Sequence, residues 1–232
     1  GGIRDYPYWS ADGQHLVYDA LNRDQSDAGV FIADIDGGRE RTVYKGTDRG
    51  QPAGWTGNDA VVLATANVFT VVDTAGTIRR TITAPDSMGI SAPPYVDAVS
   101  RRSAYWSAPA GAIIIADLSS GRFTRAFASK TPALPVGWTA DGSLFVITDV
   151  SADSGEAPAI ATHRRKRVLG RIGPGSTDFV RVATLPQDCM LDLGEIGVAI
   201  DRTGTRASCT ERRFTPDVWL ADKSRTLGLA RH

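Results

Sequence analysis

Short apolar runs separated by polar turns recur along the whole chain, and the runs repeat in type as well as in spacing. The first copy reads Tyr6-Pro7-Tyr8-Trp9-Ser10-Ala11-Asp12-Gly13, followed by His15-Leu16-Val17-Tyr18. The pattern returns at Pro52-Ala53-Gly54-Trp55 before Ala60-Val61-Val62-Leu63, and at Pro135-Val136-Gly137-Trp138-Thr139-Ala140-Asp141-Gly142 before Leu144-Phe145-Val146-Ile147. Two weaker copies run from Pro94 to Trp106 and from Val198 to Cys209. Each is a strand, a tight turn and a second strand, because the turns hold the Gly, Asn and Asp residues that hairpin geometry demands.

A second apolar run follows each copy and predicts a third strand: Val30 to Asp34, Phe69 to Asp73, Ile113 to Asp117, Pro158 to Thr162 and Val218 to Asp222. A further short strand follows at Thr42 to Tyr44, Ile78 to Ile82 and Phe123 to Phe127. Four short strands per unit, a period of about 40 to 46 residues and no long amphipathic helix are the signature of a radial β-propeller. The expected fold class is all-β, a single propeller domain over residues 1–232 with about five four-stranded blades. Their boundaries fall near 5–47, 50–84, 92–129, 134–185 and 189–231. The last interval is longer by about 20 residues, which puts the irregular part at 163–185 and a strand over Thr177 to Val182 on the outer edge of blade four. A β-sandwich would share the short strands but not the repeat.

The Pro-x-Trp-Ser-x-Asp-Gly turn, the apolar strand after it and the strand ending in Ala-Asp resemble the TolB-like, WD-repeat-like propeller repeat over essentially the whole chain. The family's usual count is six blades, against five repeats here. The resemblance implies a fold that serves periplasmic assembly proteins, surface-anchored binding domains and the substrate-gating propellers of prolyl-oligopeptidase-type peptidases. An extracytoplasmic location follows as an expectation: periplasmic, cell-surface or secreted.

Charge removes several function classes. The 26 basic and 26 acidic residues cancel, so no global field favours nucleic acid or anionic lipid. No apolar run reaches the roughly 20 residues of a membrane-spanning helix. The chain opens on Gly1-Gly2, as a trimmed or processed product does, and it is expected to be part of a larger exported or membrane-anchored protein. Cys189 and Cys209 admit two readings, one disulfide or two unpaired apolar residues, and two thiols alone do not make a zinc site.

Candidate chemistry is sparse. Nucleophile-elbow, zinc-protease and phosphate-loop motifs are missing from the sequence. No catalytic residue, metal or cofactor is expected, and the protein is read as non-catalytic. A propeller glycosidase or lectin is an alternative, with Asp5, Asp192 and Glu195 as candidate carboxylates. A gating propeller of a peptidase is another. Asn22, Asp24, Ser26 and Asp27 offer calcium-type oxygens without the glycine and distal glutamate of a full loop. The run His163-Arg164-Arg165-Lys166-Arg167 reads as a solvated hairpin. Trp9, Trp55 and Trp138 occupy equivalent positions and read as blade-core packing, while Asp12 and Asp141 read as caps of their own turns. The binding surface for a protein or small ligand is expected on the face of the second-to-third-strand loops, which are the least repetitive. It would gather Asp24, Asp27, Met88, Asp153, Glu156, Asp188, Asp192, Glu195, Arg212, Arg213 and Phe214.

Overall fold

The apolar runs form antiparallel hairpins almost throughout. The computed structural model describes residues 3–21, 28–36, 38–45, 50–149, 167–186, 189, 191–192, 195–196, 198–215 and 218–228. The first sheet holds β1 (Ile3–Trp9), β2 (His15–Leu21), β3 (Gly29–Asp34) and β4 (Glu40–Lys45) in that order. The second holds β5 (Gln51–Thr56), β6 (Ala60–Ala64), β7 (Val68–Asp73) and β8 (Ile78–Thr83). The third holds β9 (Tyr95–Asp97), β10 (Arg102–Ser107), β11 (Ala112–Asp117) and β12 (Phe123–Ala128). The fourth holds β13 (Ala133–Trp138), β14 (Leu144–Asp149), β15 (Arg167–Ile172) and β16 (Phe179–Thr184). A short pair, β17 (Leu191–Asp192) and β18 (Glu195–Ile196), precedes a last sheet of β19 (Val198–Ile200), β20 (Arg206–Thr215) and β21 (Val218–Gly228). Two compact units result: Gly1–Ala110 with Ile115–Thr124, and Gly111–Ile114 with Arg125–His232.

The described residues thus form four four-stranded blades, not five. Where a fifth was expected, the last sheet has three strands. The reason lies in β21, which continues for 11 residues and pairs with β20 as far as Arg206↔Gly228. Residues after Asp222 extend the third strand instead of turning into a fourth. Blade four also needs correction, because its third strand is β15 and not Pro158 to Thr162, which lie outside the described residues. β15 pairs along β14 from Leu144↔Ile172 to Asp149↔Arg167. The edge strand expected over 177–182 is present as β16, at one side of the fourth sheet.

In the first unit, Val17, Val30 and Ile32 of the first sheet bury themselves against Trp55, Val61, Leu63 and Val72 of the second. The corresponding cluster of the second unit joins Val136, Phe145, Ile147 and Leu169 to Val198, Ile200, Cys189 and Cys209. Each such aliphatic side chain contributes roughly 1.5 to 3 kcal/mol of burial free energy. The Pro-x-Gly-Trp sequence has a packing reason here. A Cβ on Gly54 would lie 3.0 Å from Val96, and one on Gly137 would lie 2.9 Å from Ile200, so each glycine lets the first strand of the following sheet approach.

The tryptophans divide. Trp55 and Trp138 are buried, as expected of repeat-core residues, whereas Trp9 is 57% exposed. The Trp55 indole faces the first sheet, donates Nε1–H to the Tyr8 carbonyl at 2.9 Å and stacks on His15 with centroids 6.1 Å apart. Trp9 follows Tyr8, whose ring packs on the seam between the first two sheets, so alternation along β1 turns the Trp9 indole to the other face. The expectation that Trp9 packs in the core is corrected accordingly.

Candidate functional site

The acids of the repeated turns are built into those turns. Asp12 accepts from the Ser10 hydroxyl at 2.6 Å and the Gln14 amide at 3.0 Å, and Asp141 accepts from the Thr139 hydroxyl at 2.6 Å and the Ser143 amide at 3.0 Å. These bonds favour the carboxylate. The Thr139 hydroxyl, followed by the Ser143 amide, brings Asp141 down to about 2, and the same kind of contact lowers Asp12. Asp73, Asp117 and Asp201 are lowered first by amides of their own turns. At neutral pH all five are ionised structural acceptors and poor proton donors.

A cleft of about 280 Å³ opens in the first unit at the end of the sheets that carries the first-to-second-strand turns. Its floor is apolar, with Ala60, Val71 and Leu118 all buried. Its rim is cationic: Arg79 and Arg80 project from β8, and Arg101 from the turn between β9 and β10. Asp59 is the carboxylate on the lining. Arg79 is committed, with Nη1 donating to Asp59 Oδ2 at 2.5 Å and Nε 3.6 Å from Asp73 Oδ2. That hydrogen bond holds Asp59 below the usual carboxylate range and raises Arg79. Arg80 Nη1 donates to the Ser119 carbonyl, which is uncharged. The exposed Arg101 side chain makes no hydrogen bond or ion pair among the described residues, and its charge adds a smaller contribution to the lowering of Asp59. Even counting Asp73 behind Arg79, three guanidiniums face two carboxylates.

The backbone at Arg101 shares with Tyr6, in β1, a positive φ on a non-glycine residue. Its φ is 54°, in the left-handed region, while Gly13, Gly57, Gly142 and Gly204 supply the positive φ in the first-to-second-strand turns of the other sheets. Asp97 organises this turn by accepting from the amides of Val99 and Ser100, each at 3.3 Å, and from the Ser100 hydroxyl. The Arg101 carbonyl accepts from Leu118 N–H at 2.9 Å, which ties the turn to the one between β11 and β12.

The residues expected on the opposite face are placed as follows. Asp24, Asp27, Asp153, Glu156 and Asp188 lie outside the described residues, as do the remaining candidate calcium ligands and His163 to Lys166. Met88 is half-buried in a single 3-10 turn, Asp86–Met88, and its carbonyl accepts from the Tyr105 hydroxyl at 2.8 Å. Asp192 and Glu195 pair across β17 and β18. Arg212, Arg213 and Phe214, expected in a loop, belong to strand β20, with Arg212 opposite Asp222 and Arg213 opposite Ala221. The side chains of these five and of Asp5 lie outside the described residues. Arg167 opens β15, with Nε 3.8 Å from Asp149 Oδ1. Cys189 and Cys209 form a disulfide, their Cα atoms 5.7 Å apart. No sequence motif announced the cleft, whose residues come from four strands and three turns. Its one trace in the sequence is Ser100-Arg101 where better copies of the repeat have Asp-Gly.

No protein-family model and no curated protein sequence matches the chain. Solved structures do. The chain is similar to TolB from Acinetobacter baumannii with a TM-score of 0.64 and 12% identity, over 91% of this chain and 49% of that one. It is similar to an oligogalacturonate lyase in complex with manganese, with a TM-score of 0.61 and 13% identity, over 99% of this chain and 65% of that one. A prolyl endopeptidase aligns with a TM-score of 0.53 and 17% identity, over the whole of this chain and 34% of its own. The fold is therefore a TolB-like β-propeller, and the chain spans about half the length of TolB.

Proposed function

We propose that the chain is a non-catalytic binding propeller that works outside the cytoplasm and presents a ligand or partner surface on its turn-bearing end. The observation that carries this is the arginine-rimmed cleft. It offers two guanidiniums, those of Arg80 and Arg101, that make no ion pair among the described residues, on a framework whose turn acids are occupied in holding turns. Such a rim attracts and orients an anionic group. The disulfide fits an oxidising compartment. The expected surface on the second-to-third-strand loops stays a proposal of its own, carried by residues outside the described ones.

Likeness to a prolyl endopeptidase over the full length of this chain supports a second reading, a gating propeller for a peptidase. Likeness to an oligogalacturonate lyase supports a third, in which a propeller acts on acidic sugars. One set of measurements separates them. The purified chain is screened by thermal shift against small acids, peptides and oligosaccharides, and is assayed for turnover of oligogalacturonate and prolyl peptides. A binding propeller gives a saturable rise in melting temperature with at least one ligand and no turnover, since a ligand of the folded state stabilises it by mass action. Turnover of oligogalacturonate or of a prolyl peptide would replace this proposal. A hydrolase domain in the same reading frame would favour the gating role.

A further inference from the structure

We infer that Arg101 is the anchor of a subsite for a monoanionic carboxylate carried on a short apolar group, such as a small organic acid or the C-terminus of a peptide. The inference rests on the binding reading above and names the ligand chemistry of the same cleft. Three independent features point to it.

The first is backbone strain. A long side chain in the left-handed region is disfavoured because its Cβ crowds the adjoining carbonyl, and a glycine there avoids the cost. The other first-to-second-strand turns of this chain take positive φ on Gly13, Gly57, Gly142 and Gly204, and this turn takes it on Arg101. Non-glycine residues held this way concentrate where a ligand is bound. The second is charge. The Arg101 side chain makes no hydrogen bond or ion pair among the described residues and reaches Asp59 only through a longer-range charge interaction, Arg80 spends Nη1 on a neutral carbonyl, and Arg79 is occupied by Asp59 and Asp73. An excess of one positive charge is neutralised by a monoanion, whereas a dianion such as hydrogen phosphate would leave an uncompensated negative charge beside Asp59. The planar guanidinium fork matches a carboxylate through two parallel N–H···O bonds. The third is shape. At about 280 Å³ the cleft lies just under the range of about 300–1,000 Å³ for drug-sized ligands, and Leu118, Val71 and Ala60 give it an apolar floor. A ligand of amino-acid size would place its carboxylate on Arg101 and its apolar body on that floor.

The test uses the full chain, with N-acetyl-leucine, N-acetyl-leucinamide, a pentapeptide ending in leucine as acid or amide, and inorganic phosphate, each titrated by calorimetry. Both acids are expected to bind at least tenfold more tightly than their amides and than phosphate. A peptide acid that binds tenfold or more above N-acetyl-leucine identifies a peptide C-terminus as the source, and equal affinities identify a small acid. Arg101→Gly is the decisive variant, because relief of the strained backbone should leave its melting temperature at or above wild type while acid binding falls tenfold or more. Arg101→Lys keeps the charge without the fork and should fall in between. Equal binding of acid and amide, undiminished binding by the Arg101→Gly protein, or melting of that protein well below wild type would each overturn the inference. The broader reading fails separately, through turnover or through the lack of any saturable ligand. A ligand that still binds the Arg101→Gly protein at wild-type strength would leave that reading standing and remove only this subsite.

Discussion

The Trp55 indole closes the seam between the first two sheets with both a ring contact and a hydrogen bond to Tyr8, and nothing smaller reaches both. Trp55→Ala should therefore lower the unfolding free energy by about 3 to 5 kcal/mol, the range for emptying a buried aromatic site. Trp9→Ala, at 57% exposure, should stay within about 0.5 kcal/mol of wild type. Urea denaturation of both variants checks the contrast, and an equal loss at Trp9 would mean that its indole is covered in solution. Asp141 allows a test by pH. Its carboxyl lies at about 2 in the folded protein, first because of the Thr139 hydroxyl, against about 3.9 for an unfolded aspartate. A depressed folded value stabilises the protein above the unfolded one, and that contribution is lost as pH falls through the folded one. The melting temperature of the wild type should thus drop between about pH 4 and pH 2 more steeply than that of Asp141→Asn. Parallel acid limbs would show that the turn contributes nothing through this titration.

The disulfide joins Cys189 to strand β20 inside a buried cluster and closes a loop with a sequence separation of 20. Restricting the unfolded chain over that span contributes on the order of 3 kcal/mol. Reduction should lower the melting temperature by roughly 6 to 12 °C for a chain of this size. Titration of thiols in the unreduced, denatured protein should find none, and two free thiols would remove the staple. At this scale most of the fold was legible, because hairpin turns and apolar alternation are local signals that survive without neighbours. The third strand of blade four was not. Pro158 to Thr162 imitates the apolar run of the repeat, while Val168-Leu169-Gly170-Arg171-Ile172 is identified only by its pairing with β14. Nor was the end of the last sheet, since its third and fourth strands were separated by a turn that β21 does not make. The cleft stayed hidden for a related reason. Asp59, Arg79, Arg101 and Ser119 come together only when two sheets pack, and the loss of glycine at Arg101 reads in the sequence as decay of the repeat.

For the whole molecule, the 26 basic and 26 acidic residues cancel, so an approaching anion feels the cleft and not the protein. Charges farther apart than a Debye length, about 10 Å at 0.1 M salt, are screened from one another, whereas a guanidinium and a carboxylate in contact are much less so. Affinity for N-acetyl-leucine should consequently weaken by only a few-fold when sodium chloride rises from about 0.05 M to about 0.5 M. A ligand held by many phosphate contacts behaves otherwise, losing about 10³ to 10⁵ in affinity over a narrower range as condensed counterions are released. Calorimetric titration at the two salt concentrations, with a short DNA duplex as the comparison ligand, distinguishes these regimes. A steep salt slope for the acid, or tight duplex binding at low salt, would move the recognition from the single fork of Arg101 to an extended basic surface. A shallow slope that survives Arg80→Gln and vanishes with Arg101→Gly would confine it to one contact on an otherwise neutral molecule.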